Sequence, residues 1–254
     1  MLVETGATLV IMVPKILSVP AVDKFYDDLN HGLSQKPSKV ELDCSQIDLV
    51  TSSHVNLLWE ARSSCLNMKI EVKLSFVSPG LVRVLKVLDL YDVFLSAGEA
   101  ADVMENGVQE DNTAEYKERL NLEFRVEGKA ITRALAEFRR FLSKLKIPMK
   151  NVIELEIVFY EVTTNIRLHS GLTSDNIIIF NATPSADKLA MRFTDRGKEF
   201  DPTTQTSDFD PEMIMKDRKK HGFGLTMITR MTSKMNYERK DGCINILTLE
   251  KVWR

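Results

Sequence analysis

The sequence predicts two domains of different fold class, an α/β domain followed by an α+β domain. In the first part of the chain, short apolar runs alternate with segments of helical spacing, which is typical of an α/β layer. An acidic stretch then interrupts the pattern. Beyond it, two helical segments precede a group of strand patterns, and this grouping is typical of an α+β sandwich.

Strands and helices alternate in the predicted first domain. Apolar runs of strand length occupy residues 8–12, 39–42 and 70–76. Helical spacing of apolar residues is found at 22–33, 53–65 and 79–88. In the last of these, Val82, Leu85 and Leu88 fall on one face. We therefore predict a small sheet covered by helices.

The predicted second domain begins with a strand at 120–126. A helix follows with apolar residues at helical spacing, and it ends before Pro148 because proline cannot continue a helix. We predict a further helix at 151–168, followed by strands at 176–181 and 188–194. A polar loop at 203–220, a last helix at 225–234 and a final strand at 244–251 complete the domain. This arrangement predicts helices on one face of a mixed sheet.

The acidic stretch indicates a linker between the domains. Between residues 97 and 118 there are many acidic residues and one basic residue, Lys117, and large apolar residues are few. Such a composition cannot bury enough apolar surface to form a core. We predict a first domain at 1–97, an acidic linker at 98–119 and a second domain at 120–254.

Composition narrows the classes of function. The net charge of -2 gives no electrostatic basis for binding nucleic acid or an anionic membrane. The three cysteines are scattered, so we expect reduced thiols rather than a disulfide framework. No apolar run approaches the roughly 20 residues of a membrane span. We expect a cytoplasmic protein.

A first candidate motif lies on the helix predicted at 151–168. Glu161, Asn165 and His169 are spaced four residues apart, so they share one helix face. An amide oxygen is a suitable ligand for Mg²⁺, which takes few protein oxygens beside waters and phosphates. A carboxylate one turn away can accept a proton from an attacking hydroxyl or water. The alternative is a polar helix face without a chemical role.

Two further motifs follow. The segment DRGKEFDP begins at Asp195, at the end of an apolar strand, where a carboxylate can accept a hydrogen bond from an exocyclic amine. Gly197 then lets the backbone come close to a ring or adopt a positive φ. The segment HGFGL carries Gly222 and Gly224 ahead of a helix, and backbone N–H groups in such a loop bind phosphate. An ordinary polar turn and a flexible loop are the alternatives. Together the three motifs predict a magnesium-nucleotide site.

These motifs resemble the N, G1 and G2 boxes of the GHKL ATPase superfamily, and residues 120–254 are similar to bacterial anti-sigma factor serine kinases. The resemblance implies an α+β GHKL (Bergerat) ATPase sandwich that binds ATP and Mg²⁺. It implies that Glu161 is the general base, that Asn165 binds Mg²⁺ and that Asp195 binds adenine. Three glycines are implied to shape the nucleotide pocket: Gly197, Gly222 and Gly224.

Two residues of these motifs need separate interpretation. Glu199 stands where the family often has a second glycine, which implies a different geometry on the adenine side or in the lid. His169 is interpreted as structural or pocket-lining. We do not expect it to accept phosphate, because no histidine-kinase dimerisation helix precedes the domain.

The first domain resembles a STAS domain, the fold of anti-sigma factor antagonists, over residues 5–97. The segment SPGLVRVL beginning at Ser78 belongs to this resemblance. It implies an α/β fold with a mixed sheet and helices. Antagonists carry a phosphorylated serine in a DSSG-like motif; Ser53 takes that place, and Ser52 is the second candidate. Either hydroxyl is also well placed to cap the helix that begins there.

The same motif departs from the antagonists at two positions. Thr51 replaces the usual aspartate and His54 replaces the usual glycine. The fold prediction is independent of these replacements. The two replacements weaken the implication that Ser53 is phosphorylated.

The two resemblances together predict a bacterial partner-switching regulator that phosphorylates serine on a STAS protein, its own or a partner. Expected partners are a STAS-domain antagonist and/or a sigma factor, with a contact between the two domains and a homodimer also expected. The alternative is a non-catalytic, nucleotide-gated module that sequesters a sigma factor or an antagonist. A third class is a STAS scaffold that senses a small molecule.

Overall fold

The computed structural model describes residues 7–95, 118–205 and 223–253. The chain divides into two compact units, Met1–Met104 and Glu105–Arg254, and each is described by itself. The acidic linker predicted at 98–119 lies almost wholly outside the described residues, as does most of the polar loop predicted at 203–220. Both stay predictions, as do the predicted domain limits.

The first unit is a three-stranded sheet with helices between and after its strands. Its elements are β1 (Thr8–Met12), α1 (Val19–Ser34), β2 (Lys39–Asp43), α2 (Ser52–Asn67), β3 (Glu71–Ser75), α3 (Pro79–Val87) and the short α4 (Tyr91–Phe94). The strand order is β1-β2-β3, and both pairs are parallel. In the register, Val40 lies between Leu9 and Val72.

The core of this unit lies where helices α1 to α3 meet the central strand. Side chains from all four elements are fully buried there: Leu29, Leu42, Leu58, Leu81 and Leu85. Helix α3 begins at a favourable sequence, since the Ser78 hydroxyl accepts the N–H of Leu81 at 3.2 Å and Pro79 occupies the first turn.

Helix α2 begins with a reciprocal cap between Thr51 and His54. The Thr51 side chain accepts the N–H of His54 at 3.4 Å, and the N–H of Thr51 donates to Nδ1 of His54 at 3.2 Å. The other ring nitrogen, Nε2, lies 3.2 Å from the carbonyl oxygen of Pro14. His54 is therefore neutral, with its proton on Nε2, and it ties the start of α2 to the segment after β1.

The second unit is a five-stranded antiparallel sheet with helices on one face. Its elements are β4 (Leu120–Arg125), α5 (Gly128–Leu142), α6 (Met149–His169), β5 (Ile177–Pro184), β6 (Lys188–Asp195), a 3₁₀ turn (Pro202–Gln205), α7 (Phe223–Met231), β7 (Lys234–Lys240) and β8 (Ile244–Val252). The strand order is β4-β5-β6-β8-β7. Among the described residues, no helix has the length and hydropathy of a membrane-crossing segment.

Four fully buried phenylalanines form the core of the second unit. Phe138 comes from α5, Phe159 from α6, Phe180 from β5 and Phe193 from β6. Ring centroids of Phe159 and Phe180 are 4.8 Å apart in an edge-on arrangement, and those of Phe180 and Phe193 are 4.9 Å apart. Such pairs add stabilisation beyond the burial of their area. Phe180 touches the other three rings, so it connects both helices to the sheet.

The α/β and α+β classes predicted from the sequence are confirmed, but the strand directions differ from the mixed sheets expected. In the described part of the first unit all three strands are parallel, because one helix separates each strand from the next. In the second unit every described pair is antiparallel. Two helices lie between β4 and β5 instead of one, and β5 runs antiparallel to β4.

Two elements were not predicted, the short α4 and strand β7. The helix predicted at 225–234 ends at Met231, because Lys234 already belongs to β7. Exposed and half-buried residues alternate along β7, which is an edge strand of its sheet, and none of its residues is fully buried. Charged side chains on the exposed positions are ordinary for an edge strand.

The aromatic core predicts a large effect for Phe180→Ala. We expect the free energy of unfolding of the second unit to fall by about 3–5 kcal/mol, because a cavity would replace a ring in contact with three others. Urea denaturation in a Trp59→Phe background isolates this unit, since Trp253 is then the one remaining tryptophan. Phe200→Ala is the control, because its side chain is 51% exposed and its loss should cost less than about 0.5 kcal/mol. Equal losses in the two variants would contradict this account of the core.

The cap of α2 predicts that the first unit loses stability in mild acid. Burial lowers the pKa of His54 below its ordinary value of 6.5, and hydrogen bonds to the carbonyls of Pro14 and Lys15 oppose this only in part. Folding therefore favours the neutral ring, so this contribution is fully present above pH 6.5 and is lost as the pH falls below it.

Amide hydrogen exchange of α2 tests this dependence at about pH 7.5 and about pH 5.5, corrected for the intrinsic exchange rate. Protection should fall at the lower pH in the natural chain and in His31→Gln, whose site is exposed. In His54→Gln the protection should change little with pH. An unchanged pH dependence in His54→Gln would assign it to another group.

Candidate functional site

Helix α6 carries the first motif from the core to the surface. Glu161 is buried, with 3% of its surface exposed. Asn165, one turn later, is half-buried, and His169 at the end of the helix is exposed. The helix is held by buried apolar residues on either side of Glu161, Val158 and Val162 among them. The motif thus offers a carboxylate inside the protein and an amide at its boundary.

Strand β6 delivers Asp195 to the same region. Along β6 the buried residues alternate, and Asp195 ends this row with 7% of its surface exposed. Its Oδ1 accepts the N–H of Gly197 at 2.7 Å and the side-chain amide of Asn245 at 2.9 Å. Within the described part of the chain, no hydrogen bond reaches Oδ2. Asp195 therefore has one oxygen held by the protein and one oxygen free to accept.

Gly197 joins the loop after β6 to the end of α6. A Cβ atom at this position would lie 2.4 Å from Cβ of Ser170 and 3.0 Å from the carbonyl oxygen of Ser170. That carbonyl oxygen also accepts the N–H of Lys198 at 2.8 Å. Positive φ, one of the two reasons predicted for a glycine here, is not found, and the predicted approach to a ring stays a prediction; the structure shows instead a close approach of the backbone to Ser170. The approach is to the end of α6, which brings the first two motifs together.

Asn245 is a site residue that the sequence interpretation missed. It lies on β8, is 5% exposed and pairs in register with Asp195. Its Nδ2 donates to Asp195 and also to the carbonyl oxygens of Lys198, at 3.1 Å, and Gly197, at 3.3 Å. The only signal in the sequence is an amide within an apolar strand pattern, INILTLE. A buried amide with this many partners indicates a specific structural demand.

The glutamate that departs from the family pattern contacts an arginine. Glu199 lies 3.6 Å from Nε of Arg239, on β7. Nη1 of the same arginine donates to the carbonyl oxygen of Gly197 at 3.3 Å. The loop after Asp195 is therefore held from β7 as well as from α6. Sequence reasoning expected a difference on this side and did not identify Arg239.

The third motif is described in part. Helix α7 begins at Phe223, which is fully buried, and Gly224 is buried beside it. Helix α7, which follows the predicted phosphate loop in the sequence, packs against α6, the helix that carries Glu161 and Asn165. Gly222 and the basic residues before it lie outside the described residues. The roles of Gly222 and Gly224 stay predictions.

The donor set suits a magnesium-bound nucleotide. A free carboxylate oxygen on Asp195 accepts from an amine, and the amide oxygen of Asn165 is a hard ligand of the kind Mg²⁺ takes. In the described ranges, no three His, Cys, Asp or Glu side chains group together as a metal site. A magnesium ion carried by phosphates does not need such a group, because waters and phosphate oxygens supply most of its ligands.

In the first unit, the candidate phosphoacceptors lie in the first turn of α2. Ser53 is exposed and Ser52 is half-buried. Neither caps the helix, because Thr51 does so. The capping role considered for the serine pair is therefore wrong, and the Ser53 hydroxyl is accessible at a helix N-terminus, where added phosphate is favoured.

Exposed apolar side chains lie just after β1 and β3, at the end of the sheet where α2 begins. Ile16 comes after β1 and is 72% exposed, and Phe76 comes after β3 and is 70% exposed. Because the three strands are parallel, the segments that follow them all leave one edge, where α2 also begins. Cys44 on this edge is no alternative nucleophile, since burial, with a smaller effect of Asp43, raises its pKa to about 12.

The comparisons with solved structures give partial similarities at low identity. A chain of the SiaB–SiaC complex from Pseudomonas aeruginosa is 14% identical over 52% of this chain and 89% of its own length, with a TM-score of 0.41. A structure of the RsbU and RsbW domains of a Mycobacterium tuberculosis protein is 17% identical over 53% of this chain, with a TM-score of 0.39. This chain covers 32% of that structure's length. Among curated protein sequences, none matches significantly.

Family profiles identify both domains in the predicted order. The STAS domain profile matches residues 1–106, and the profile of the histidine kinase-like ATPase domain matches residues 124–251. The second match covers half of the chain. The chain therefore belongs to the histidine kinase-like ATPase domain family and carries a STAS domain on the N-terminal side of its ATPase domain.

Proposed function

We propose that this protein binds Mg-ATP and phosphorylates a serine on a STAS domain, as a regulator in bacterial partner switching. The observation that carries the proposal is the carboxylate of Asp195, with one oxygen held and one free, beside the end of the helix that bears Glu161 and Asn165. Membership of the histidine kinase-like ATPase domain family, which implies nucleotide binding, supports it.

Each site residue has a distinct task in this proposal. The free oxygen of Asp195 accepts the exocyclic amine of adenine, and the amide oxygen of Asn165 is a ligand of Mg²⁺. Glu161 accepts the proton of the incoming serine hydroxyl, which makes the serine oxygen a better nucleophile. Bound Mg-ATP supplies the γ-phosphoryl group that the serine oxygen takes, with ADP as the leaving group.

The proposed substrate is a serine in the first turn of a STAS helix, at the position of Ser53. Ser53 itself is exposed, and its helix is capped by another residue. The exposed side chains of Ile16 and Phe76 lie at the end of the sheet where α2 begins, and such apolar side chains suit contact with a protein partner. A phosphate carries about -1.5 to -2 charges, so its addition there would release a docked partner by repulsion and desolvation.

The proposed partners are a STAS-domain antagonist and/or a sigma factor, and we propose a homodimer as the working form. The STAS domain of the chain is then a substrate in cis, a dimerisation module or an inhibitor of its own kinase domain. The presence of a STAS domain and an ATPase domain in one chain supports partner switching, because the chain then carries both a kinase-type domain and a domain of the kind proposed as its substrate.

The second candidate function is a non-catalytic module in which nucleotide gates the binding of a partner. It is favoured by Thr51 and His54, which replace the aspartate and glycine of the antagonists and form a cap with each other. That cap restricts the backbone beside Ser53, where phosphoryl transfer in cis would need access. The two functions differ in whether any serine gains phosphate.

The kinase proposal predicts phosphate on a serine that depends on Glu161. Purified chain is incubated with Mg-ATP, alone and with a separately prepared STAS domain, and analysed by intact and peptide mass spectrometry. We expect phosphate on Ser53 or on the partner's serine, and a rate about 10²–10⁴-fold lower in Glu161→Gln, because a general base is lost.

The matched controls are Glu156→Gln, on the same helix, and Ser53→Ala. Glu156 is half-buried and pairs with Arg139 of α5, and it belongs to none of the three motifs, so Glu156→Gln should keep the natural rate. Ser53→Ala should abolish only modification in cis. Equal rates in Glu161→Gln and the natural chain would exclude the base role. ATP binding without any phosphate would instead establish the gated module.

The metal assignment predicts that Asn165→Ala weakens only magnesium-dependent binding. The Kd of a fluorescent ATP analogue is measured with Mg²⁺ and with a chelator. We expect the natural chain to bind at least about tenfold more tightly with Mg²⁺, and Asn165→Ala to lose most of that gain, because one direct ligand is removed. Asn56→Ala, a half-buried amide of the first unit, is the control. An unchanged gain in Asn165→Ala would refute the ligand assignment.

A further inference from the structure

We propose that Asn245 and Arg239 are positioning residues that orient the carboxylate of Asp195, so that the site selects a purine with an amino group at position 6. The inference rests on the proposed function and deepens it. Neither residue belongs to the three sequence motifs, and both lie on the β7–β8 hairpin. They pair in register with each other, and Asn245 pairs on its other side with Asp195.

The side-chain amide of Asn245 has one possible orientation. Its Oδ1 accepts the hydroxyl of Tyr237 at 2.8 Å and also a hydrogen bond from Nη1 of Arg239. Its Nδ2 faces three acceptors, which are Asp195 Oδ1 and two backbone carbonyls. A flipped amide would place its oxygen against those acceptors and its nitrogen against a guanidinium. Because that arrangement would keep only the contact with the Tyr237 hydroxyl, which can donate or accept, and would lose all the others, Nδ2 points at Asp195.

Arg239 sets this orientation because it is itself held at several points. Its Nε donates to the carbonyl oxygen of Gly242 at 3.1 Å, and its Nη1 donates to Gly197 as well as to Asn245. Its side chain is 20% exposed and lies 3.6 Å from Glu199. A planar guanidinium with this many partners has little freedom to turn. Arg239 thus fixes the amide of Asn245, and that amide in turn holds the carboxylate of Asp195.

The consequence is that the carboxylate of Asp195 has a fixed orientation, with Oδ2 as the oxygen that accepts from a ligand. Two N–H groups hold Oδ1 of Asp195, so the carboxylate cannot rotate without losing both. Oδ2 is left to meet the ligand, and an ionised carboxylate oxygen can only accept a hydrogen bond. An amino group at position 6 of a purine donates to it. An oxo group at the same position would be repelled, and a hydrogen atom would leave the oxygen unpaired.

The test measures Kd for three triphosphates that differ at position 6 of the base: ATP, inosine triphosphate and purine riboside triphosphate, which has hydrogen there. We expect the natural chain to bind ATP at least about tenfold more tightly than the other two, the effect of one charge-assisted hydrogen bond. In Asn245→Leu the preference should fall to within about threefold, with the affinity for purine riboside triphosphate unchanged.

Further variants separate positioning from folding. Arg239→Met should reduce the preference similarly, and Tyr237→Phe, which removes a single donor to Asn245, should reduce it in part. Lys240→Met is the control, because Lys240 lies at the surface 3.4 Å from Glu238 and contacts neither Asn245 nor Asp195 among the described residues, and it should keep the full preference. If Asn245→Leu does not fold, Arg239→Met and Tyr237→Phe decide the question.

The outcomes separate this inference from the proposed function. A natural chain that binds none of the three triphosphates overturns both. A natural chain that prefers ATP, with the preference retained in Asn245→Leu and Arg239→Met, overturns the inference alone. Equal weakening of all three triphosphates in the variants assigns the pair a purely structural role and also overturns it.

Discussion

The site depends on the close contact between the end of helix α6 and the loop after strand β6. At that point the backbone of Gly197 approaches Ser170 so closely that no side chain fits between them. The Lys198 N–H closes the contact on the Ser170 carbonyl. The helix with Glu161 and Asn165 and the strand with Asp195 are distant in sequence, and this contact makes them neighbours. A larger residue at position 197 would separate them and move the carboxylate away from the helix, whatever the state of the rest of the domain.

Helix α6 can serve as the fixed side of this contact because the core holds it firmly. Phe159 packs against rings from α5, β5 and β6, and Glu154 forms an ion pair with Lys251 of β8. Glu154 is almost fully buried, and a buried charge is tolerated only when it is paired. The same helix therefore has apolar and ionic attachments to the sheet, two turns before Glu161. Rigid support of this kind keeps catalytic groups near their working geometry.

The two units place their candidate groups by different means. In the first unit the position of Ser53 follows from local chemistry, since Thr51 and His54 begin the helix and leave the serine hydroxyl outside. Because the cap needs a neutral imidazole, mild acid weakens the turn that presents Ser53. In the second unit the position of Asp195 follows from long-range contacts with α6, β7 and β8. The position of Ser53 thus depends on one local cap, and the position of Asp195 depends on packing across a whole sheet.

The sequence by itself determined the two fold classes, most helices and strands, and the order of the three motifs. These features follow from periodicities of two and 3.6 residues and from short spacings, all of which are local. Only the tertiary structure decided the strand directions, the edge strand β7 and the partners of Asp195. Asn245 pairs across the sheet with Asp195, 50 positions away, and Arg239 donates to the carbonyl oxygen of Gly197, 42 positions away; no local pattern contains either contact. Two reasons for Gly197 were predicted from the sequence, approach of the backbone to a ring and a positive φ; its contact with Ser170 is a different reason, which depends on a residue of another element and which no local pattern contains.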